Sequence, residues 1–406
     1  MKLASLETFI VGTPPPSFGG RYFIFVSLET SCGIKGVGEI YAASFAPEII
    51  CTMAQDVFAR YLDGNDPFQI ERFWRRAHGS GFTHRPDISM QGVVSGLEMA
   101  CWDIIGKAVD KPVYDLLGGM VNERLRSYTY LYPTDEQDPA HFYQDPVASA
   151  ESAALAVKDG FTAVKFDPAG QYTVFDGRMP DLDALERSEA FCRLIRDAIG
   201  TKADMLFGTH GQFTAAGAIR LAKKLEPYDP LWFEEPTPPD MPEEMAKVAA
   251  GSAVPVATGE RLCSKFEFAR VLQSGAAAIL QPNLGRVGGI LEAKKIAAMA
   301  EAHYVQIAPH LYCGPIVAAA NIQLAACSPN FLILESIQKM DGFHADLLTT
   351  PLIWEEGYVI PPKTPGLGVE LNEVVARAHP YTGDALHLEM GANPYDPVRD
   401  RLFPGG

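Results

Sequence analysis

"PLWFEE" (Pro230–Glu235) and "VPVATGE" (Val254–Glu260) decide the fold. Each is a short apolar run that ends on an acidic residue, and Glu234 and Glu260 stand 26 residues apart, the length of one strand–helix repeat. Unbroken apolar strands are those buried on both faces, as in parallel sheets. The same texture extends in both directions. "SYTYLY", "TAVKFD" and "DMLFGTH" precede the pair, and "AAILQPN", "YVQIAPH" and "FLILES" follow it. Between them lie amphipathic stretches such as "AAGAIRLAKKLEP", "KFEFARVLQSG" and "GGILEAKKIAAMAEAH". Eight such strands predict an α/β fold, a closed parallel (β/α) barrel of the modified TIM type over residues 124–365, with its functional face at the strands' carboxyl ends.

Residues 1–123 read as an α+β capping domain. "YFIFVSLET" and "KGVGEIY" flank the turn residues "SCG" and predict a hairpin. Helical patterns follow in "APEIICTMAQDVFARYL", "PFQIERFWRRAH" and "MQGVVSGLEMACWDIIGKAV"; in the last, Val93, Val94, Leu97, Cys101, Ile104 and Ile105 form one buried face. The block stops at "LLGG". "GYVIPPKTPGLGVELNEVVARAHP" is turn-rich and strand-like again, and residues 366–406 are expected to return to the capping domain and complete it. Pro168–Arg187 reads as one long loop, a lid or a plain surface excursion.

A 406-residue chain that is 47% hydrophobic and 21% charged can bury more than one ordinary domain's core. A net charge of −16 with no cluster of Lys or Arg repels nucleic acid and anionic membranes and leaves a small molecule as the partner. The opening "MKLASLETFIVGTPPP" reads as a first strand rather than a signal peptide. No stretch approaches the ~20 apolar residues that span a bilayer. Seven scattered cysteines without a C-x-x-C pair fit reduced thiols in a cytoplasmic protein.

The strand ends carry, in order, Lys165 and Asp167, His210, Glu234 and Glu235, Glu260, Asn283, His310 and Glu335. A lone glutamate there is as often a partner for a neighbouring base, a lone histidine a hydrogen-bonded structural residue, and Lys165 a buried lysine paired to a carboxylate. Two carboxylates on adjacent strands at the same height are a different matter, because they make a site for a hard divalent cation such as Mg²⁺.

These motifs, in this order, resemble the enolase superfamily, mandelate racemase subgroup, and within it the acid-sugar dehydratases of galactonate and mannonate type. The resemblance runs through "GVGE", "GLEMACWDIIGKAVDKPVYDLLGG", "AVKFD", "HGQ", "WFEEP", "ATGER", "QPNLGRVGGI", "APH" and "PGLGVEL", nearly the whole chain. It implies a carboxylate substrate chelated by Mg²⁺, a base that removes the proton beside the carboxylate, and an ene-diolate stabilised by the metal. By motif, Glu234 and Glu260 are metal ligands, Lys165 and His310 bases on opposite faces, Glu335 an acid toward the enolate oxygen, and His210 the acid for a departing hydroxyl. The family's members assemble as dimers or octamers.

Three positions depart from the pattern, among them Asp167, which stands where many members have a second lysine or another polar group. Gly208, 26 residues before Glu234, stands where the family has its first metal carboxylate. Two glutamates and the substrate carboxylate are enough to hold Mg²⁺, with weaker affinity in the absence of substrate unless Asp167 or His210 fills the vacancy, Asp167 suiting Mg²⁺ and an imidazole tilting the site toward Mn²⁺ or Zn²⁺. Asn283 replaces the Asp that pairs with the catalytic histidine. Its carbonyl is expected to accept Nδ1–H of His310 and leave Nε2 as the base; in a serine protease the analogous change costs about 10⁴ in rate through the wrong tautomer. His210 is expected beside Gly208 on one face by strand alternation.

The function expected is acid-sugar dehydration, with His310 as base and His210 as acid, giving a 2-keto-3-deoxy acid. The alternatives are a racemase, epimerase or cycloisomerase on a related acid sugar, and a non-catalytic acid-sugar-binding or regulatory homologue. Arg21, His78, His84 and Arg85 are further candidate substrate contacts.

Overall fold

In chain order the strands are β1 (Leu3–Gly12), β2 (Tyr22–Thr30), β3 (Lys35–Ile40), β4 (Leu125–Tyr130), β5 (Ala163–Phe166), β6 (Asp204–Gly208), β7 (Trp232–Glu234), β8 (Val256–Thr258), β9 (Ile279–Leu280), β10 (Gln306–Ile307), β11 (Leu334–Ser336), β12 (Ile353–Glu355) and β13 (Tyr358–Ile360). They come from a computed structural model that describes residues 1–82, 87–167 and 177–388; His84, Arg85 and positions 168–176 of the long loop lie outside the described residues. Each of the eight stretches read as barrel strands carries one, β4 to β11. The long loop is shorter than expected, because Asp181 accepts the Ala184 N–H and starts a helix over Leu182–Ile199. The chain divides into two compact units.

One unit comprises 1–129, 259–272 and 279–388. Its antiparallel sheet runs β1-β2-β3, with the expected hairpin between β2 and β3. The helix Ile88–Ala108 is buried over most of its length and packs on β3. That approach explains the glycines of "KGVGE": a Cβ at Gly38 would stand 1.9 Å from the Gly96 carbonyl oxygen, and one at Gly36 2.3 Å from that of Ala100. Three buried carboxylates replace backbone partners. Glu98 accepts the N–H groups of Ile290 and Leu291 at the start of the helix Ile290–Ala302, and Glu39 those of Gly314 and Val317 at the start of Pro315–Ala326. Asp103 accepts those of Val37 and Leu367.

The same unit holds β9 paired with β10, and β11 paired with β4, all in parallel. Between β10 and β11 the expected ladder shrinks to one bridge, Ile307↔Phe331. Past Leu367 the chain reaches β1, where Gly12 N–H donates to the His379 carbonyl and Val11 bridges Pro380. The tail was expected to be turn-rich and strand-like, and within it Glu373–Ala378 is a short helix, because Asn372 accepts the Val375 N–H and caps it.

The other unit comprises 130–258 and 273–278 among the described residues. Here β5, β6, β7 and β8 lie side by side in parallel. Phe166, Phe207 and Phe233 are register partners and stack edge to face, with centroids 5.9 Å and 5.0 Å apart. By alternation, Lys165, Leu206, Gly208, Trp232 and Glu234 share the opposite side. A one-residue slip would exchange the phenylalanine row for Lys165 and Glu234, so burial of the aromatics sets the register that positions the polar groups.

Candidate active site

Lys165 on β5 is 2% exposed and Glu234 at the end of β7 is fully buried, so the contact between them is well shielded from water. The lysine Nζ lies 2.7 Å from Glu234 Oε1. Trp232 Nε1 donates to the other carboxylate oxygen at 3.1 Å. Gly208 pairs in register with Glu234, and a Cβ there would meet Lys165 Cε at 3.4 Å. A Cβ at 208 would thus touch the lysine stem at ordinary contact distance without displacing it.

Beyond Gly208 the strand has ended. Thr209 is buried and donates to the Glu234 and Glu235 carbonyls, Gly211 N–H donates to Glu235, and His210 takes φ +50. Strand alternation does not place His210, contrary to expectation; a left-handed residue does. Left-handed backbone is uncommon for a residue with a Cβ and clusters where a side chain must be aimed. What holds the ring is Asp167, whose Oδ2 is 3.1 Å from His210 Nδ1. Asp167, expected as a metal ligand, is engaged as the histidine's partner.

In the unit of β9 and β10, His310 is 5% exposed and its Nε2 lies 3.4 Å from Glu260 Oε2 and 3.9 Å from Glu335 Oε2. Glu335 also accepts the Leu311 N–H at 2.8 Å, and Asn321 donates to the His310 carbonyl. Asn283 meets His310 Nδ1 at 2.8 Å through its amide nitrogen. The expected carbonyl contact is not made, because Oδ1 accepts the Gly285 N–H at 2.8 Å.

Around His310 the fold adds residues that the strand-end pattern does not reveal. Tyr41 stacks beside the His310 ring, the Arg286 guanidinium lies 3.8 Å over the Tyr41 ring, and His387 meets Tyr41 edge-on at 5.0 Å. Burial, then Arg286, pushes the His387 imidazole down to about 3, so it is neutral. Tyr41, directly after β3, and His387, in the tail, come from outside the barrel repeats, and the strand-end pattern does not point to them. Arg21 donates to the Leu386 carbonyl at 2.8 Å and so holds the segment that carries His387. His78 stacks on Trp74 at 4.4 Å and meets Gln91 at 3.1 Å, which makes it a packed core residue.

Acid, base and carboxylate side chains at the carboxyl ends of parallel strands define an α/β enzyme. Residues 148–375 match the enolase C-terminal domain-like family, and residues 13–118 the N-terminal domain of mandelate racemase / muconate lactonizing enzyme. The chain belongs to the enolase superfamily, in that mandelate racemase group. It is 35% identical to a D-galactonate dehydratase from Ralstonia nicotianae over 92% of this chain and 93% of the relative. A D-xylonate dehydratase from Haloferax volcanii is 33% identical over 91% and 88%. A solved chain from Labrenzia alexandrii DFL-11, provisionally named a mandelate racemase/muconate lactonizing enzyme, is 67% identical with a TM-score of 0.94, covering 96% of this chain and 100% of that one. No described helix is long and apolar enough to cross a membrane.

Proposed function

We propose that the protein is an acid-sugar dehydratase, a hydro-lyase that removes the proton beside a carboxylate and then the β-hydroxyl, giving a 2-keto-3-deoxy acid. The observation that carries this reading is that each strand-end histidine is held through Nδ1, His210 by Asp167 and His310 by Asn283, which turns each Nε2 toward use. The D-galactonate and D-xylonate dehydratases among its relatives support it. The epimerase reading needs Lys165 as a second base, whereas its amine is committed to Glu234.

The family implies a divalent cation, Mg²⁺ or Mn²⁺, and the donors suit one. Glu234 already holds a positive charge, the Lys165 ammonium, and Glu260 follows β8, the strand paired with β7. Glu234 and Glu260 would hold the ion, with the substrate carboxylate and water completing six oxygens. When bound, such an ion binds that carboxylate and stabilises the charge that develops on it. Lys165 stays paired with Glu234, Glu335 faces the developing charge, and His210 delivers a proton to the departing hydroxyl.

Strands β4 to β11 closing as a barrel, the division 1–123, 124–365 and 366–406, and assembly as a dimer or octamer belong to the same proposal; the two family matches and the contacts of residues 379 and 380 with β1 support it. The experiment is NMR in D₂O with a panel of aldonic and aldaric acids. A deoxy-keto product is expected. Deuterium exchange with inversion and no product would replace the reading with an epimerase, and binding without exchange would remove catalysis altogether.

A further inference from the structure

The helix Pro315–Ala326 is buried along its whole length, and Gly314 at its start has no side chain with which to cap it. The N–H groups of its first turn therefore need acceptors from elsewhere in the fold. Glu39 supplies them from β3, 275 positions earlier in the chain. Its Oε1 accepts the Gly314 N–H at 2.5 Å and its Oε2 the Val317 N–H at 2.9 Å. The carboxylate is 1% exposed, so both bonds are shielded from water. A negative charge at this end of a helix is also favoured by the helix dipole.

The same helix holds His310. Three residues separate His310 from Gly314, and Asn321, inside the helix, donates to the His310 carbonyl at 3.0 Å. Between those two ties, the Cys313 carbonyl oxygen lies 3.2 Å from His344 Nε2. A shift of the helix start is thus a shift of the backbone that carries the imidazole. Tyr41, two residues beyond Glu39, lies beside the His310 ring with centroids 6.3 Å apart, and its N–H donates to the Gly285 carbonyl at 3.0 Å. One short stretch at the end of β3 therefore meets both the backbone support of His310 and the face of its ring.

We propose that Glu39 is a positioning residue that fixes the start of the helix Pro315–Ala326 and, through it, the place of the His310 imidazole. Its effect on turnover rests on the dehydratase reading, whereas its effect on the ring does not. Gly314 belongs to the same arrangement. A Cβ there would stand 2.9 Å from Glu39 Oε1 and 3.0 Å from the Phe23 ring, so glycine is what lets the carboxylate approach. Glu98 makes the matching contacts at the helix Ile290–Ala302, where its oxygens accept the Ile290 and Leu291 N–H groups. Burial pushes both carboxyls up to about 7, so the two are alike in surroundings and differ in what their helices carry.

Glu39→Gln keeps the shape of the side chain and one acceptor, but turns an amide donor toward the other backbone N–H. Glu98→Gln makes the same exchange at the other helix and is the control. The test is NMR of the full-length protein with labelled histidines at about pH 8.5, where both carboxyls are ionised, with His310→Asn assigning the signal. The His310 ring signal is expected to move in Glu39→Gln and to stay in place in Glu98→Gln, although both variants lose stability in urea. With the acid sugar that the parent turns over, Glu39→Gln should lower kcat at least about tenfold and change KM by less than about twofold. Glu98→Gln should leave kcat unchanged. Gly314→Ala pushes the carboxylate aside without removing its charge and should move the same signal, which keeps the idea open to test where Glu39→Gln does not fold. A signal that stays in place in folded Glu39→Gln or Gly314→Ala, or that moves as far in Glu98→Gln, overturns the proposal and leaves Glu39 a helix cap. Unchanged kcat in Glu39→Gln overturns it as well. If the parent turns over no acid sugar, the dehydratase reading fails while the ring signal still reports the position of His310, so the two failures are distinct.

Discussion

Lys165 reaches past Gly208 to Glu234, its Nζ 2.7 Å from the carboxylate, and a Cβ at 208 would lie beside its stem, 3.4 Å from Cε. One internal cation thus serves as the partner of the Glu234 carboxylate.

Gly208→Asp restores a hard oxygen at the strand end. Its Cβ sits at ordinary contact distance from Lys165 Cε, so the backbone accepts it. Calorimetric titration with Mg²⁺ is expected to show affinity raised about tenfold, roughly 1.4 kcal/mol. An unchanged Kd would mean that position 208 does not face the ion.

Lys165→Met removes the cation and leaves Glu234 buried without its ion-pair partner. Breaking a buried pair on one side costs about 3–5 kcal/mol. Urea unfolding should report a loss of that order, and millimolar Mg²⁺ should recover part of it. Equal stability of variant and parent, with and without Mg²⁺, would sink the internal-cation account.

Glu98→Ala strips the acceptor from Ile290 N–H, Leu291 N–H and Trp102 Nε1, which lie 2.7, 2.9 and 2.8 Å away. Three donors lose their partner at the start of a helix, and the expected destabilisation is about 3 kcal/mol or more. Thermal unfolding checks it, and a loss under about 1 kcal/mol would show that water replaces the carboxylate.

His344 is buried, its Nε2 3.2 Å from the Cys313 carbonyl oxygen, and burial pushes it down to about 4. Between pH 6.5 and 4 the unfolded chain binds a proton that the folded chain refuses, so stability falls as pH is lowered through this window, by up to about 3 kcal/mol. Glu39 and Glu98, each pushed up to about 7 by burial, act in the opposite direction. The measurement is therefore a comparison: His344→Gln should lose less stability than the parent between those pH values in urea titrations. Parallel slopes would refute the assignment.

Gly38→Ala places a Cβ within 2 Å of the Gly96 carbonyl, a backbone atom that cannot rotate away. Strand and helix must separate, and overpacking of this kind costs about 3 kcal/mol. Soluble variant protein with unchanged unfolding midpoint would contradict the packing described.

The sequence by itself determined the eight strands, because buried parallel strands are written as apolar runs and the polar residue that ends each run is visible in one dimension. It also determined the 26-residue repeat that puts Glu234 at the end of β7 and Glu260 just past β8, and the absence of a side chain at Gly208, whereas the register sets Glu234 opposite Ala257 and so departs from the equal height expected. Only the tertiary structure decided what those residues do. Lys165 finds Glu234 across two strands, Asp167 finds His210 through a left-handed turn, and the Asn283 amide is turned by Gly285 N–H. Tyr41 reaches the His310 ring, and His387, far along the chain, reaches Tyr41. Residue type fixes what a group can donate or accept, whereas the direction of each hydrogen bond depends on partners distant in sequence that only folding brings within 3 Å.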